Sequence, residues 1–292
     1  DAMFSRALTL APNNAKIKAQ QGLLKLFNND LSGIQNLEQA LLLEPTLKQA
    51  NIALATTLLN QGKNNQASAV AKKWLSLEPE NISALLLNGN IAKKSSKNSE
   101  AITFLTRAAE LDPTNPVPLF NLAVMHSENK ELMESNQLLD QILSLDIEYA
   151  FAYRLAIDNA IALGNESELE NKITQLIDKN TNAIWPKLIL ARRHTVKGDL
   201  EKAVELLESI TDYTALPNTF FIASIDVYIK NKQRDKLDTF FNKWQQDQPN
   251  NSEAYIAQVN ILAKEKKYTE ALEITRRGLA QDLLKTNFRL LS

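Results

Sequence analysis

Apolar residues recur at helical spacing along the chain, in runs that polar turns separate. In residues 82–113, Leu86, Gly89 and Ala92 follow one another at three-residue steps, and a second such run begins at Ala101. This spacing places them on one face of an α-helix. Only 7 Gly and 9 Pro occur in 292 residues, too few for the turns of many short strands. The pattern predicts an all-α protein.

The helical runs repeat with a period of 34 residues. Windows such as ALLLEP, WLSLEP and AAELDP close each period, and their prolines are Pro12, Pro45, Pro79, Pro113 and Pro249. The last spacing, 136, is four times 34, so the phase continues where the proline is absent. Two columns of small residues keep the same register and pass through Gly89 and Ala101. Small residues let two helices approach closely, so each period predicts a helical hairpin.

The ends of the predicted helices carry the expected capping residues. Glycines of one column follow the first helix of a period, where a left-handed cap is expected; they are Gly62, Gly164 and Gly198. Asparagines stand just past the proline column, as N-caps would, at Asn14, Asn81, Asn115 and Asn251. The capping glycines and asparagines therefore predict the same helix boundaries as the apolar pattern.

A 34-residue helix-turn-helix with small columns and a closing proline resembles the tetratricopeptide repeat (TPR). The resemblance covers essentially the whole chain, 1-292, and implies an all-α, right-handed superhelical TPR solenoid of antiparallel helix pairs. The first helix of each pair would line a concave groove. The predicted repeats are 13-45, 46-79, 80-113, 114-147, 148-181, 182-215, 216-249 and 250-283, with 1-12 and 284-292 belonging to truncated repeats at either end.

The match to the repeat weakens between Ile147 and Ala215. Here the proline is lost, and Ile157 and Leu169 occupy the two small columns. Larger side chains at these positions predict a wider gap between the two helices and a local change in superhelical curvature, without loss of the fold.

Charge and composition exclude several classes of partner. Lys and Arg number 33 against 34 Asp and Glu, a formal charge of -1. Such a balance provides no overall field for nucleic acid or an anionic membrane. Cysteine is absent, which removes thiolate chemistry and disulfides. No apolar run reaches the length of a bilayer span. We therefore expect no nucleic-acid partner and no direct membrane insertion.

The residue patterns of common enzyme sites are also missing. His126 and His194 stand 68 residues apart, twice the repeat, so we interpret both as packing residues and expect no metal ligand set. No HExxH, Walker or GxSxG pattern occurs. Glu166, Glu168 and Glu170 begin a second helix and read as surface charges that favour the helix dipole. The sequence predicts a non-enzymatic protein without a cofactor.

Two further sets of residues are interpreted structurally. The lysine pairs fall in different columns, which indicates a role in solubility; they are Lys72/Lys73, Lys93/Lys94 and Lys266/Lys267. Trp74 and Trp244 share a column that is alanine in well-matched repeats. We expect both indoles to fill space between repeats as part of the core.

The predicted binding surface lies on the first helices, on the face away from the small column. Its candidate partner-binding residues are Phe120, Phe151, Arg154, Asp158, Trp185, Ile189, Arg192 and Asp226. Asp158, Arg192 and Asp226 recur at 34-residue steps and should form a ladder. Two interpretations stay open. The ladder and the aromatics hold an extended peptide, or the charges pair between adjacent helices and the aromatics cover repeat contacts.

One specialised kind of TPR groove fits poorly. TPR domains that clamp a C-terminal carboxylate use two asparagines and several basic residues across three repeats. Asn90 and Asn121 match the asparagines, but the basic positions hold Leu86, Phe151 and Leu155. Chaperone-tail binding is therefore not expected.

The leading hypothesis is a protein-interaction scaffold that binds a peptide or protein segment in its concave groove, as one part of a larger bacterial protein. Two alternatives are the regulatory or substrate-presenting arm of an enzyme encoded outside 1-292, and self-association through Phe4, Leu8 and the 284-292 segment. The composition is weakly similar to bacterial envelope TPR lipoproteins of exopolysaccharide and exosortase (PEP-CTERM) systems. That similarity slightly favours the periplasm or cell envelope over the cytoplasm.

Overall fold

The structure, a computed structural model, describes residues 2–280, and over these residues the chain is entirely helical apart from turns. The chain divides into two compact units, Asp1–Asp146 and Ile147–Ser292. Consecutive helices pack in antiparallel pairs within each unit. The predicted all-α fold of helix pairs is confirmed.

Unit 1 begins with a helix that has no pairing partner before it, followed by four pairs. Its helices are α1 (Ala2–Leu10), α2 (Ala15–Phe27), α3 (Gly33–Leu43), α4 (Lys48–Asn60), α5 (Asn64–Leu77), α6 (Ile82–Lys94), α7 (Asn98–Leu111), α8 (Pro116–Glu128) and α9 (Leu132–Leu145). Phe4 and Leu8 on α1 are half-buried, because α1 packs against α2. These two residues of the self-association hypothesis are therefore partly covered within the chain. The 284-292 segment of the same hypothesis lies outside the described residues.

Unit 2 contributes four further pairs over its described part. Its helices are α10 (Ala150–Leu163), α11 (Glu166–Lys179), α12 (Trp185–Lys197), α13 (Leu200–Glu208), α14 (Asn218–Lys230), α15 (Arg234–Asp247), α16 (Ser252–Lys264) and α17 (Tyr268–Ala280). First helices begin at Lys48, Ile82, Pro116 and Ala150, so the 34-residue phase is visible directly in the elements.

Each first helix ends in a left-handed residue. Gly62, Gly164 and Gly198 have positive φ values of 74°, 69° and 86°, as the sequence predicts. Non-glycine residues take the same conformation at the equivalent turns; they are Asn29, Ser96, Lys130, Lys232 and Lys266. The amide that follows donates back into the helix, as from Lys97 N to Ala92 O at 2.9 Å. This bond closes the helix in a Schellman-type turn.

The asparagine N-caps are confirmed. Asn14, Asn81, Asn115 and Asn251 each accept a hydrogen bond at their side-chain oxygen from a backbone N–H in the first turn of α2, α6, α8 and α16. Each such bond satisfies a donor that has no partner inside the helix.

The small columns set the spacing inside a pair. A Cβ at Gly22 would lie 2.8 Å from the Gly33 carbonyl oxygen, so α2 and α3 touch through their backbones. A Cβ at Gly89 would lie 2.9 Å from the side chain of Leu105, so α6 and α7 are also in close contact at this position. In α9, Ser135 occupies the column and donates from Oγ to Ala123 O at 2.8 Å. Close approach therefore depends on side chains of this size.

Pairs with larger residues in these columns are less closely packed. Half-buried Ile157 and Leu169 hold α10 and α11 farther apart than α6 and α7, which confirms the predicted wider gap. In α11, all of which the structure describes, Ile173 is the one buried residue. Helix α11 consequently buries little side-chain surface.

Both tryptophans of the repeat column belong to the cores, as predicted. Trp74 is fully buried in unit 1, where its Nε1 donates to Glu78 Oε2 at 2.8 Å. Trp244 is fully buried in unit 2 and stacks on Phe221 with ring centroids 4.0 Å apart. Tyr213 and Phe240 pack edge-on around this stack. Burial raises the pKa of the Tyr213 hydroxyl well above its ordinary value.

A recurring side-chain tether joins three first helices to the turn before them. In one column of the repeat, Asn51, Tyr153 and Lys187 each donate to the carbonyl oxygen six residues earlier. The bonds are 2.9, 2.9 and 2.5 Å long. Each satisfies a backbone acceptor in the turn that no helix ladder reaches.

The helix pair α12–α13 departs most from the repeat. Helices α7 and α9 end at Leu111 and Leu145, and the same phase would end α13 at residue 213, yet α13 ends at Glu208. The segment 209–217 replaces the missing turn, and buries Ile210 and Tyr213 in the unit 2 core. This irregular stretch leaves open space beside the end of α11.

Candidate functional site

A groove of about 450 Å³ runs across the first helices of unit 2. Residues of α10, α12 and α14 line it at helical spacing; they are Arg154, Ile157, Asp158, Ile189, Arg192, Arg193, Thr195, Val196, Asp226, Val227 and Lys230. Five of the eight residues predicted from the sequence are among them: Arg154, Asp158, Ile189, Arg192 and Asp226. The 34-residue ladder is therefore a real juxtaposition in the structure.

Three charged side chains of the groove have no protein partner. Arg154, Asp158 and Arg192 are exposed, and none forms a side-chain hydrogen bond or ion pair with any residue that the structure describes. Asp226 instead pairs with Lys230 on its own helix at 2.8 Å. The interpretation in which the ladder charges pair between adjacent helices is thus not what the structure shows.

Apolar side chains separate these charges. Ile157 and Ile189 are half-buried, and Val196 is 76% exposed on the wall of the groove. They offer apolar surface between one acidic and two basic groups that are free to bind. The groove can therefore contact an apolar side chain and a charged side chain of the same ligand.

The chain shares its repeat with a known family. The family model of the tetratricopeptide repeat matches residues 104–135, which span the end of α7, all of α8 and the start of α9. Over this segment the chain is similar to a tetratricopeptide repeat. No protein with a curated description matches the sequence.

Solved TPR structures share the fold at low sequence identity. PilW, a type IV pilus biogenesis factor, superposes with a TM-score of 0.50 at 20% identity, over 62% of this chain and 84% of PilW. A TPR protein from Parabacteroides merdae has a TM-score of 0.48 at 15% identity, over 90% of this chain and 99% of its own. YrrB, described as a TPR protein with an unusual peptide-binding site, has a TM-score of 0.44 at 18% identity, over 63% of this chain and 95% of YrrB.

The aromatic residues predicted for the TPR groove lie elsewhere. Of the described residues that line the groove, none is Phe151 or Trp185. Trp185 is half-buried against the unit 2 core, because it begins α12 at the packed end of the helix. Phe151 is 65% exposed and sits edge-on to Tyr149, with ring centroids 6.1 Å apart. Phe120 is a half-buried residue of α8 in unit 1.

Two of the three carboxylates at the start of α11 form ion pairs with α12, so the interpretation as surface charges is wrong for Glu166 and Glu170. Glu166 and Glu170 both pair with Arg193, whose side chain is only 14% exposed, and Glu170 also accepts from Lys197 Nζ at 2.6 Å. These ion pairs join α11 to α12, where the small columns do not bring the helices close. Glu168 remains at the surface and accepts from the Asn165 amide. Sequence spacing alone could not show which of the three faces the next helix.

Each histidine contacts a carboxylate close to the end of its own helix. His126 Nδ1 lies 2.7 Å from Glu131 Oε2, and His194 Nδ1 lies 3.2 Å from Asp199 Oδ2, so each contacts the acid just past its own turn. Over the part of the chain that the structure describes, no cluster of three His, Asp or Glu could hold a metal ion. Within the same residues, no helix combines the length and the apolar character needed to cross a bilayer.

The lysine pairs are more than solubilising groups. Lys72 binds Glu100 at 2.8 Å and Lys93 binds Glu128 at 2.9 Å, so both make ion pairs between helices. Exposed pairs of this kind contribute about 0–1 kcal/mol each. The other lysines of the three sequence pairs, such as Lys94, are exposed to solvent.

Sequence reasoning missed a second groove, which lies in unit 1. It has a volume of about 860 Å³ and lies across α4, α6 and α8, with exposed Lys48, Lys94 and Asn90 on its surface. Asn121 lines it too, but donates its amide to Val117 O at 2.9 Å. One carboxamide of the presumed clamp pair is thus already engaged, which agrees with the expectation against carboxylate clamping.

Two of the six lining residues that the sequence did not predict for the unit 2 groove follow a simple rule. Val196 and Lys230 stand four residues after Arg192 and Asp226, on the next turn of the same helices. The 34-residue column identifies one position per helix, whereas a groove is lined over two turns. Adding the residue four positions after each column member would have identified both Val196 and Lys230.

Proposed function

We propose that the unit 2 groove binds an extended segment of another protein, and that the chain serves as an interaction scaffold. The observation that carries the proposal is the set of partnerless charges Arg154, Asp158 and Arg192 beside apolar Ile157 and Ile189. Charges that pair with no described residue contribute little to the stability of the protein. They are available to orient a ligand.

The groove favours a segment in which apolar and charged side chains alternate. An apolar side chain would pack between Ile157, Ile189 and Val196, and an acidic group would accept hydrogen bonds from Arg154 or Arg192. Asp158 would receive a basic group or a backbone N–H. Affinity would come mainly from the apolar contacts, because exposed charge pairs add only about 0–1 kcal/mol each.

The test compares one groove variant with a matched surface variant. Arg192→Glu reverses a charge in the groove, and Arg276→Glu makes the same change at an exposed residue of α17 outside it. Proteins captured from native extract by the unaltered chain are identified by mass spectrometry, and the bound segment is mapped with synthetic peptides. Fluorescence anisotropy then gives Kd for each variant.

We expect Arg192→Glu to weaken binding by about tenfold or more. Arg276→Glu should leave it unchanged, and circular dichroism should show full helix content in both. Equal affinity of all three proteins for the captured segment would remove this groove as the binding surface. The resemblance to envelope lipoproteins of exopolysaccharide systems is a separate prediction, and the partner's own location would test it.

A further inference from the structure

A second cavity of unit 2, of about 780 Å³, lies on a different face of α12 from the groove. Ile189 and Arg192 face the groove, whereas Lys187, Leu190 and His194 line the cavity. Its other walls are residues of α11 and α13. The cavity exists because α13 ends at Glu208, so no helical turn packs beside the end of α11.

Lys187 lies at one end of this cavity and is only 5% exposed. Its Nζ donates to Thr181 O at 2.5 Å and to Ser209 O at 3.4 Å, and both residues also line the cavity. An ammonium group carries three donors, so one has no acceptor among the described residues. No described carboxylate lies within ion-pair distance of Nζ.

The tether that Lys187 makes does not require a charge. At equivalent positions, Asn51 and Tyr153 donate to the corresponding carbonyl with neutral groups. A buried ammonium without a counter-ion is costly. Burial accordingly lowers the pKa of Lys187, and Glu148 offsets this only in part. The positive charge is therefore a feature that the fold itself does not explain.

The cavity lining is apolar in part and carries four carboxylates and two lysines. Ile177, Leu190 and Leu206 provide its apolar surface. Of its acids, Glu170 is bound by Arg193 and Lys197, and Asp199 by His194. The remaining charged residues of the lining are Asp178, Lys187, Lys202 and Glu205. Two exposed carboxylates near the opening disfavour a ligand that carries more than one negative charge.

We propose that this cavity binds a small amphiphilic monocarboxylate. The ligand carboxylate accepts a charge-assisted hydrogen bond from the free donor of Lys187, and its alkyl chain packs on Ile177, Leu190 and Leu206. The site differs from the segment-binding groove in position, in lining residues and in the class of ligand, so either proposal can fail without the other.

The experiment uses three probes with the same alkyl chain: decanoate, decanol and decylamine. Isothermal titration calorimetry measures their binding to the unaltered protein and to Lys187→Gln, which keeps a neutral donor as at Asn51. We expect decanoate to bind at one site, about tenfold more tightly than decanol, with decylamine weakest. Lys187→Gln should remove the preference for decanoate while decanol binding stays unchanged. A purely structural role for Lys187 would not change that ratio.

Two further variants test whether decanoate binds in this cavity. Lys202→Gln, at the exposed edge, should change the affinity for decanoate by less than about threefold. Leu206→Trp places a larger side chain in the apolar part of the cavity without altering Lys187, and should weaken decanoate binding even if Lys187→Gln does not fold. The proposal is wrong if no probe binds, if decanoate and decanol bind equally, or if decanoate binds Leu206→Trp normally.

Discussion

At the scale of single residues, the turns inside the helix pairs show how far a periodic sequence constrains backbone conformation. Gly62, Gly164 and Gly198 are recognisable from the sequence because glycine is the residue that tolerates positive φ. Ser96 and Lys130 adopt the same conformation and carry no such signal. The column, extended by 34 residues in both directions, would have predicted them. The tertiary fold imposes the left-handed turn whether or not the residue favours it.

The left-handed turns make a direct prediction about stability. Ser96 is exposed with φ of 57°, and replacing it with glycine removes an unfavourable backbone conformation. We expect Ser96→Gly to raise the free energy of unfolding by about 0.5–1 kcal/mol, measured by urea denaturation. Gly62→Ala should lower it by about 1 kcal/mol, although a Cβ there would meet no atom within 4 Å.

The neighbouring residue is the control for this prediction. Ser95 has φ of −92° and ends α6 in an ordinary conformation. Ser95→Gly should bring no gain, because glycine only adds freedom to the unfolded chain there. A gain at Ser95 equal to that at Ser96 would show that the backbone conformation is not the cause.

At the scale of helices, α12 is capped by a residue from outside its own repeat. The cap column holds Asn81 and Asn115 before α6 and α8, but Ala183 before α12. Glu148, which precedes α10, accepts hydrogen bonds from Ile184 N at 2.7 Å and Trp185 N at 2.9 Å. A carboxylate at this helix end satisfies two free donors and complements the helix dipole. The sequence shows that a cap is missing, but not where its replacement stands.

Loss of this cap should weaken unit 2. Glu148→Gln removes the negative charge and one carboxylate oxygen, so we expect the free energy of unfolding to fall by about 1 kcal/mol. Glu80→Gln is the matched control, because Glu80 occupies the same column and makes an exposed ion pair with Arg107. Its effect should stay below about 0.5 kcal/mol. Thermal and urea denaturation of both variants measures the difference, and equal effects would refute the capping role.

At the scale of the whole molecule, the sequence predicts the repeats better than the binding surface. Helix pairs follow from a period that many positions share, so the loss of a few prolines does not obscure it. The groove depends on which side chains remain without partners. Trp185, which packs on the unit 2 core, and Glu170, which pairs with Arg193, show that contacts between helices decide which side chains remain available. Residue type alone does not specify such contacts. Column position brought Asp158, Arg192 and Asp226 together because the repeat geometry fixes it.

Repeat arrays are held together mainly by contacts within and between neighbouring repeats, so local packing should appear as local stability. The α10–α11 pair is loosely packed and α11 buries Ile173 alone, whereas α7 buries Ala101, Leu105 and Ala108. We expect amide hydrogens of α11 to exchange faster than those of α7, measured by hydrogen exchange with mass spectrometry. Equal protection of the two helices would mean that the Arg193 ion pairs compensate fully.

The cap of α12 also bears on how such a gene can change length. Recombination adds or removes repeats in units of one period, and four of the eight described helix pairs begin with their own asparagine cap. Deletion of residues 82–115 would remove α6 and α7 and leave the remaining first helices with their caps. Deletion of residues 148–181 would leave α12 in place but remove Glu148, its acceptor. The α10–α11 and α12–α13 pairs therefore cannot be separated without loss of this cap.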